Sequence, residues 1–178
     1  VCSIGIAVLR LLQEHAGFCV KRPEIGLQKW LTAIGLAVPF MVTVTVADLL
    51  LEFPPDINVR FPSSLLFYPA MGFVAQIALH VVPFALFLFA FKRLFGALSS
   101  QLRVWLSIGL ASLPEAAFQI SGVAYAQAQT LTVFVAAQLF VFGLIELYLF
   151  RRFDFVCMYV FRLTYYGYWH VLWGYLRA

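Results

Sequence analysis

The chain has 178 residues, of which 63% are hydrophobic and only 11% charged, with a formal net charge of +4. A soluble domain carries about 25% charged residues, so this composition excludes an ordinary water-soluble fold and makes lipid the solvent for much of the surface. The basic balance does not read as nucleic-acid binding, because the charges fall in the gaps between apolar runs, as at a membrane surface.

In chain order, residues 1–29 read as a cytoplasmic arm. Ile4, Ala7, Val8, Leu11 and Leu12 recur at helical spacing, with Arg10, Gln13 and Glu14 on other faces. This predicts a short amphipathic helix on the membrane surface. Pro23 breaks the arm, His15 is a solvated side chain, and Lys29-Trp30 marks entry at the headgroup level. The first 22 residues show no small-residue cleavage site, so no signal peptide is expected. The chain begins at Val1 and not at methionine, which reads as a fragment or a processed form.

Five apolar stretches follow, at about 30–51, 65–91, 104–125, 130–150 and 153–176. Each is long enough to cross a hydrocarbon core, which takes roughly 20 residues of helix. The expected fold is all-α: a polytopic integral membrane protein of about five transmembrane helices plus the amphipathic arm. The connections are a proline-rich loop at 53–64, a basic loop at 92–103, a tight polar turn at 124–129 and a short basic loop at 151–154. Arg10, Lys21, Arg22, Lys29, Lys92, Arg93, Arg103, Arg151 and Arg152 all fall on one side of this arrangement. Basic loops stay in the cytoplasm, so the N-terminus is expected inside and the C-terminus outside.

Ionisable residues within spans are costly and face a partner or a water-filled cavity. Here they are His80, Glu115, Arg162 and His170. Gln76 and His80, Glu115 and Gln119, and Arg162, Tyr166 and His170 each repeat every four residues, so three helices each carry one polar stripe. Counting from the cytoplasmic ends places His80, Glu115 and Arg162 within roughly 3 Å of one level. Gln76, Gln119 and His170 lie roughly 6–9 Å further out, with Tyr166 between the layers. Pro83 and Pro114 are expected to kink the second and third spans beside this cavity, and Gly72, Gly122, Gly167 and Gly174 to permit close helix approach.

Other polar residues read more blandly. Asp48 and Glu52 end the first span near the outer interface, and Glu146 forms a local ion pair with Arg151 and Arg152. Cys157 is a small packing residue, no cysteine pair has metal-site or redox spacing, and the run at 165–173 is an interfacial aromatic belt.

Two chemistries suit the central residues. His80, His170 and Glu115 form an imidazole and carboxylate set of the kind that holds zinc with one position left for water. Arg162 would then stabilise an anion. Alternatively Glu115 and Arg162 neutralise each other and the remaining groups bond between helices.

The stretches PEAAFQ (114–119), QIALH (76–80) and HVLWG (170–174) resemble, in Glu115, His80 and His170, the three motifs of the CPBP family of intramembrane metalloproteases, which includes the CAAX-prenyl proteases. Pro114 and Gln119 stand where that family has a second glutamate and an arginine, and the phenylalanine and asparagine of the other motifs are absent. The resemblance implies an intramembrane metal-dependent peptidase or an inactive relative, acting on a membrane peptide. Glu115 would be the water-activating base, and His80 and His170 metal ligands or oxyanion stabilisers. The alternative is a non-enzymatic membrane protein, a small transporter, channel subunit or assembly partner, with a structural, proton or solute network at its centre.

Overall fold

The computed structural model describes residues 2–22, 26–51, 53–54, 57–122 and 129–177. Every regular element among them is helical. We number seven helices: α1 (Cys2–Ala16), α2 (Leu27–Leu51), α3 (Ser64–Leu94), α4 (Ser100–Ala111), α5 (Leu113–Gly122), α6 (Gln129–Arg152) and α7 (155–176). Three of them, α2, α3 and α6, are long and apolar enough to cross a membrane, each with a mean hydropathy of 2.1 over its best window. The sequence expectations for Pro23, Glu52, Gly122 and the turn at 124–128 lie outside the residues whose placement or side chains are described.

The arm does not simply float on a surface. Leu9 and Leu12 bury one face of α1, and Gly5 lies so close to α3 that an added Cβ would meet Ile77 at 2.9 Å. The opposite face, with Ile4, Ile6 and Leu11, stays exposed. Gly17, at φ 71°, turns the chain in a conformation that glycine adopts without steric cost. That turn drives Phe18 between Phe84 and Phe150, with ring centroids 5.0 and 4.9 Å away. The carbonyls of Cys19 and Val20 then accept from the N–H groups of Phe155 and Val156. The arm thus satisfies donors at the start of α7 that have no partner within their own helix.

Asp154 completes this junction. Its side chain caps α7 by accepting from the Cys157 N–H at 2.7 Å. It also accepts from the Lys29 ammonium at 2.7 Å and the Arg22 N–H at 2.9 Å. Lys29 is 2% exposed, so the residue expected at the headgroup level is instead half of a buried ion pair.

In α2 the small residues Ala33, Ala37 and Ala47 are buried, while Leu31, Ile34, Val38, Val42, Val46 and Leu49 face outward. The small face lets α2 pack closely on α7. At its end Asp48 is buried, contrary to the interfacial reading. It accepts from the Trp173 indole at 2.8 Å and pairs with Arg177 at 3.1 Å, which fastens α2 to the end of α7.

Both proline expectations find a structural counterpart. In α3 the stretch Gln76–Val81 is π-helical and ends just before Pro83. Proline has no N–H and its ring crowds the carbonyl four residues back, and a wider turn relieves both. The expected continuous helix at 104–125 is interrupted at Ser112, two residues before Pro114, and divides into α4 and α5. In α7 a second π-helical stretch, Gly167–Trp173, follows Phe155–Tyr166. Of the glycines marked for close approach, Gly72 lies against Tyr166 and Arg162, and Gly174 against Asn58. Gly167 meets nothing within 4 Å.

Candidate functional site: a buried charge cluster beside an apolar cavity

Arg162 is the centre of the bundle. It lies mid-way along Phe155–Tyr166 and is fully buried. The break at Ser112 places Glu115 in the first turn of α5, where it meets the guanidinium end-on: Nη1 donates to Oε1 at 2.7 Å and Nη2 to Oε2 at 2.8 Å. From α6, Glu146 takes the other edge, accepting from Nε at 2.8 Å on Oε1 and from Nη2 at 2.7 Å on Oε2. Nη1 also donates to the Tyr166 hydroxyl at 2.8 Å. Two bidentate carboxylates on one guanidinium exploit the fixed fork geometry of arginine.

His80 closes the cluster from the π-helical stretch of α3. Its Nδ1 is 3.5 Å from Arg162 Nη2, and its Nε2 is 3.5 Å from Glu115 Oε2 and 3.6 Å from Glu146 Oε2. Nε2 is fully buried and has no hydrogen-bond partner. Gly143 makes the approach possible, since a Cβ there would stand 2.8 Å from Nε2. With a neutral imidazole and both carboxylates ionised, the cluster would carry a net charge of −1.

The expected inner layer of His80, Glu115 and Arg162 is therefore brought together, with Glu146 as a fourth member. Glu146 does not form the local ion pair with Arg151 and Arg152 that its sequence position suggested. It is fully buried, six residues before the end of α6, with its carboxylate turned to Arg162. A sequence signal was available: Gly143 precedes it by three, so one face of an apolar helix carries a small residue beside an acid.

The outer layer is only partly assembled. Gln76 is fully buried but its amide has no hydrogen-bond partner. Gln119, Tyr166 and His170 line a cavity of about 400 Å3 that reaches Glu115. His170 stacks on Tyr68 at 4.1 Å, and its Nδ1 meets Asn58 Oδ1 at 2.6 Å. It is not part of the carboxylate cluster, so the expected metal set of His80, His170 and Glu115 is not gathered at one point. Among the described residues, the group whose ligand atoms do converge is His80, Glu115 and Glu146, within 4.8 Å of one another. One imidazole and two carboxylates suit a divalent cation by donor type. The charge environment suits it less, because Arg162 already binds all four carboxylate oxygens.

The cavity walls are mainly apolar, including Val44, Phe67, Met71, Phe118, Phe134 and Trp169. Its volume falls within the roughly 300–1,000 Å3 range of small-molecule sites. Gln138, which sequence reasoning passed over, lies in its wall and donates to the Tyr165 hydroxyl at 3.3 Å while accepting from Thr43 at 3.0 Å.

No family model, curated protein or solved structure matches this chain, so its architecture and its site stand on their own geometry.

Proposed function

We propose that the chain is a non-enzymatic five-span membrane protein that binds a small, largely apolar solute in the cavity beside Glu115. The Glu115–Arg162–Glu146 cluster serves as the lock that holds the cavity's helices in place. The fourth and fifth crossings in this reading are the α4–α5 pair, broken at Ser112, and α7, whose 22 residues extend about 33 Å. The basic ends face the cytoplasm, with the N-terminus inside and the C-terminus outside.

The observation that carries the reading is the double bidentate engagement of Arg162. Both oxygens of Glu115 already accept from a guanidinium, which suits a structural lock better than a base that must capture a water proton. The cavity supplies what the lock does not: apolar volume with a few polar groups in its lining, Glu115, Gln119 and Gln138 among them.

The test is a stability screen of the detergent-purified protein against monoaromatic amines, alcohols and acids, read through the fluorescence of its four tryptophans, Trp169 in the cavity wall among them. Solutes that stabilise the parent should lose their effect in Val135→Phe and Leu139→Phe, which fill the cavity. If no solute stabilises the parent, or if hits ignore both fillings, the solute-binding reading is wrong.

A second reading, metal-dependent peptide hydrolysis, is favoured by the convergence of His80, Glu115 and Glu146. A divalent cation held there would supply Lewis-acid chemistry, while His80 and the two carboxylates would bind it and Arg162 would have to yield part of its bonding. About one zinc per purified chain, lost in His80→Ala, together with peptide turnover lost in Glu115→Gln, would establish this reading over the first.

A further inference from the structure

A second cavity, of about 270 Å3, lies at the basic end of the bundle, between the end of α1, the start of α4 and the end of α6. Gly17, Phe18, Ser100, Gln101, Val104 and Arg151 line it. Arg151 stacks its guanidinium over Trp105 at 4.8 Å. Its Nη1 is buried with no hydrogen-bond partner, and among the described residues no ion pair includes it. The nearest carboxylate in sequence, Asp154, is engaged by Lys29 and two backbone N–H groups. A buried donor without an acceptor is costly, and a charged one more so.

What surrounds Arg151 is a set of further donors. In α4 the Leu102 N–H is taken by the Ser99 hydroxyl and the Arg103 N–H by the Ser99 carbonyl. The N–H groups of Ser100 and Gln101 precede these, in the first turn, where a helix offers no internal acceptor. Arg22 reaches the rim, donating to the Gly17 carbonyl at 3.4 Å. Among the described residues no acidic side chain lines the cavity. Beside it, α4 exposes Leu102, Trp105 and Leu106, each more than 40% accessible, on the surface next to the donors.

We propose that this cavity binds the phosphodiester of an anionic phospholipid, with the Arg151 guanidinium as its charge partner and the acyl chains along Leu102 and Leu106 of α4. Several oxygens on one anion match several convergent donors. Basic pockets at the cytoplasmic ends of membrane helices take such headgroups. The adjoining exposed leucines and Trp105 favour a lipid over a soluble phosphate.

The experiment is native mass spectrometry of the detergent-purified protein titrated with phosphatidylglycerol, phosphatidylcholine or inorganic phosphate. The parent should retain phosphatidylglycerol at least about tenfold more strongly than phosphatidylcholine. Arg151→Gln should remove that preference. Because this change also loosens the Trp105 stack, Gln101→Glu serves as the second variant. It deletes no contact and places a like charge against the phosphate, and it should abolish the preference equally. Equal binding of the two lipids, or a preference untouched by both variants, overturns the proposal. Binding of inorganic phosphate as tight as that of phosphatidylglycerol overturns the lipid as the source of the phosphate.

Discussion

Replacing Arg162 by methionine keeps an unbranched apolar stem but leaves Glu115 and Glu146 facing each other with no guanidinium between them. Four charge-assisted hydrogen bonds to carboxylate and one to Tyr166 are lost together. Breaking a buried ion pair by removing one partner costs about 3–5 kcal/mol, and here two carboxylates are stranded at once. Changing Glu146 to glutamine is a different perturbation. The cluster goes from a net −1 to a neutral Arg162–Glu115 pair, so the lost bonds are offset by the removal of an uncompensated charge. The expected change is about 1 kcal/mol or less in either direction. Thermal unfolding in detergent, followed by tryptophan fluorescence, should then place Arg162→Met about 10 °C or more below the parent, using roughly 2–4 °C per kcal/mol for a chain of this size. Glu146→Gln should lie within about 4 °C of the parent. Adding Glu115→Gln and Glu146→Gln to Arg162→Met should recover much of the loss. If Arg162→Met costs less than Glu146→Gln, the cluster is not an arginine-centred lock and the charge argument fails.

Gly143→Ala inserts a Cβ 2.8 Å from His80 Nε2 and 3.2 Å from the Ser112 backbone, so α6 must move away. It should destabilise by about 1–3 kcal/mol in the same thermal assay. Asp154→Ala removes the cap of α7 and strands the buried Lys29, a combined loss of about 3–5 kcal/mol. Because the loss falls at the arm junction, tryptic cleavage after Lys21 should accelerate more than cleavage elsewhere. In a Cys2→Ser background, maleimide should label the half-buried Cys19 under native conditions, and the buried Cys157 only after denaturation. Native labelling of Cys157 would contradict the packing of α7 against Lys29.

The sequence made the helical periodicity and the polar stripes legible because both depend on spacing along one helix. Four-residue repeats put Arg162 and Tyr166 on one face whatever the tertiary fold, and the structure joins them by a hydrogen bond. Glu146 was misread because its nearest charges in sequence, Arg151 and Arg152, compete with a partner 16 residues away, and spacing alone does not rank the two. His170 does lie with Gln119 and Tyr166, but it is not gathered into the metal set with His80 and Glu115, for a related reason. Its actual partner, Asn58, comes from the proline-rich loop, whose path no periodicity encodes. The docking of the arm was hidden because an amphipathic helix presents the same pattern to lipid as to a neighbouring helix. The break at Ser112 was signalled by Pro114, but whether a proline kinks a helix or divides it is decided by the surrounding packing.

The lock also has an order in time. Its members enter a growing chain as His80, Glu115, Glu146 and finally Arg162, which stands 47 residues after Glu115 and 16 after Glu146. At about 5–20 residues per second of synthesis, Glu115 waits roughly 2 to 9 s before its guanidinium is made. For the last 16 residues of it, roughly 1 to 3 s, two acidic helices must be held without their counter-charge. Helix α7 is the one that commits the earlier ones to their final places, so truncation between Glu146 and Arg162 leaves a nascent chain with both acids unmatched, a ready mark for quality control.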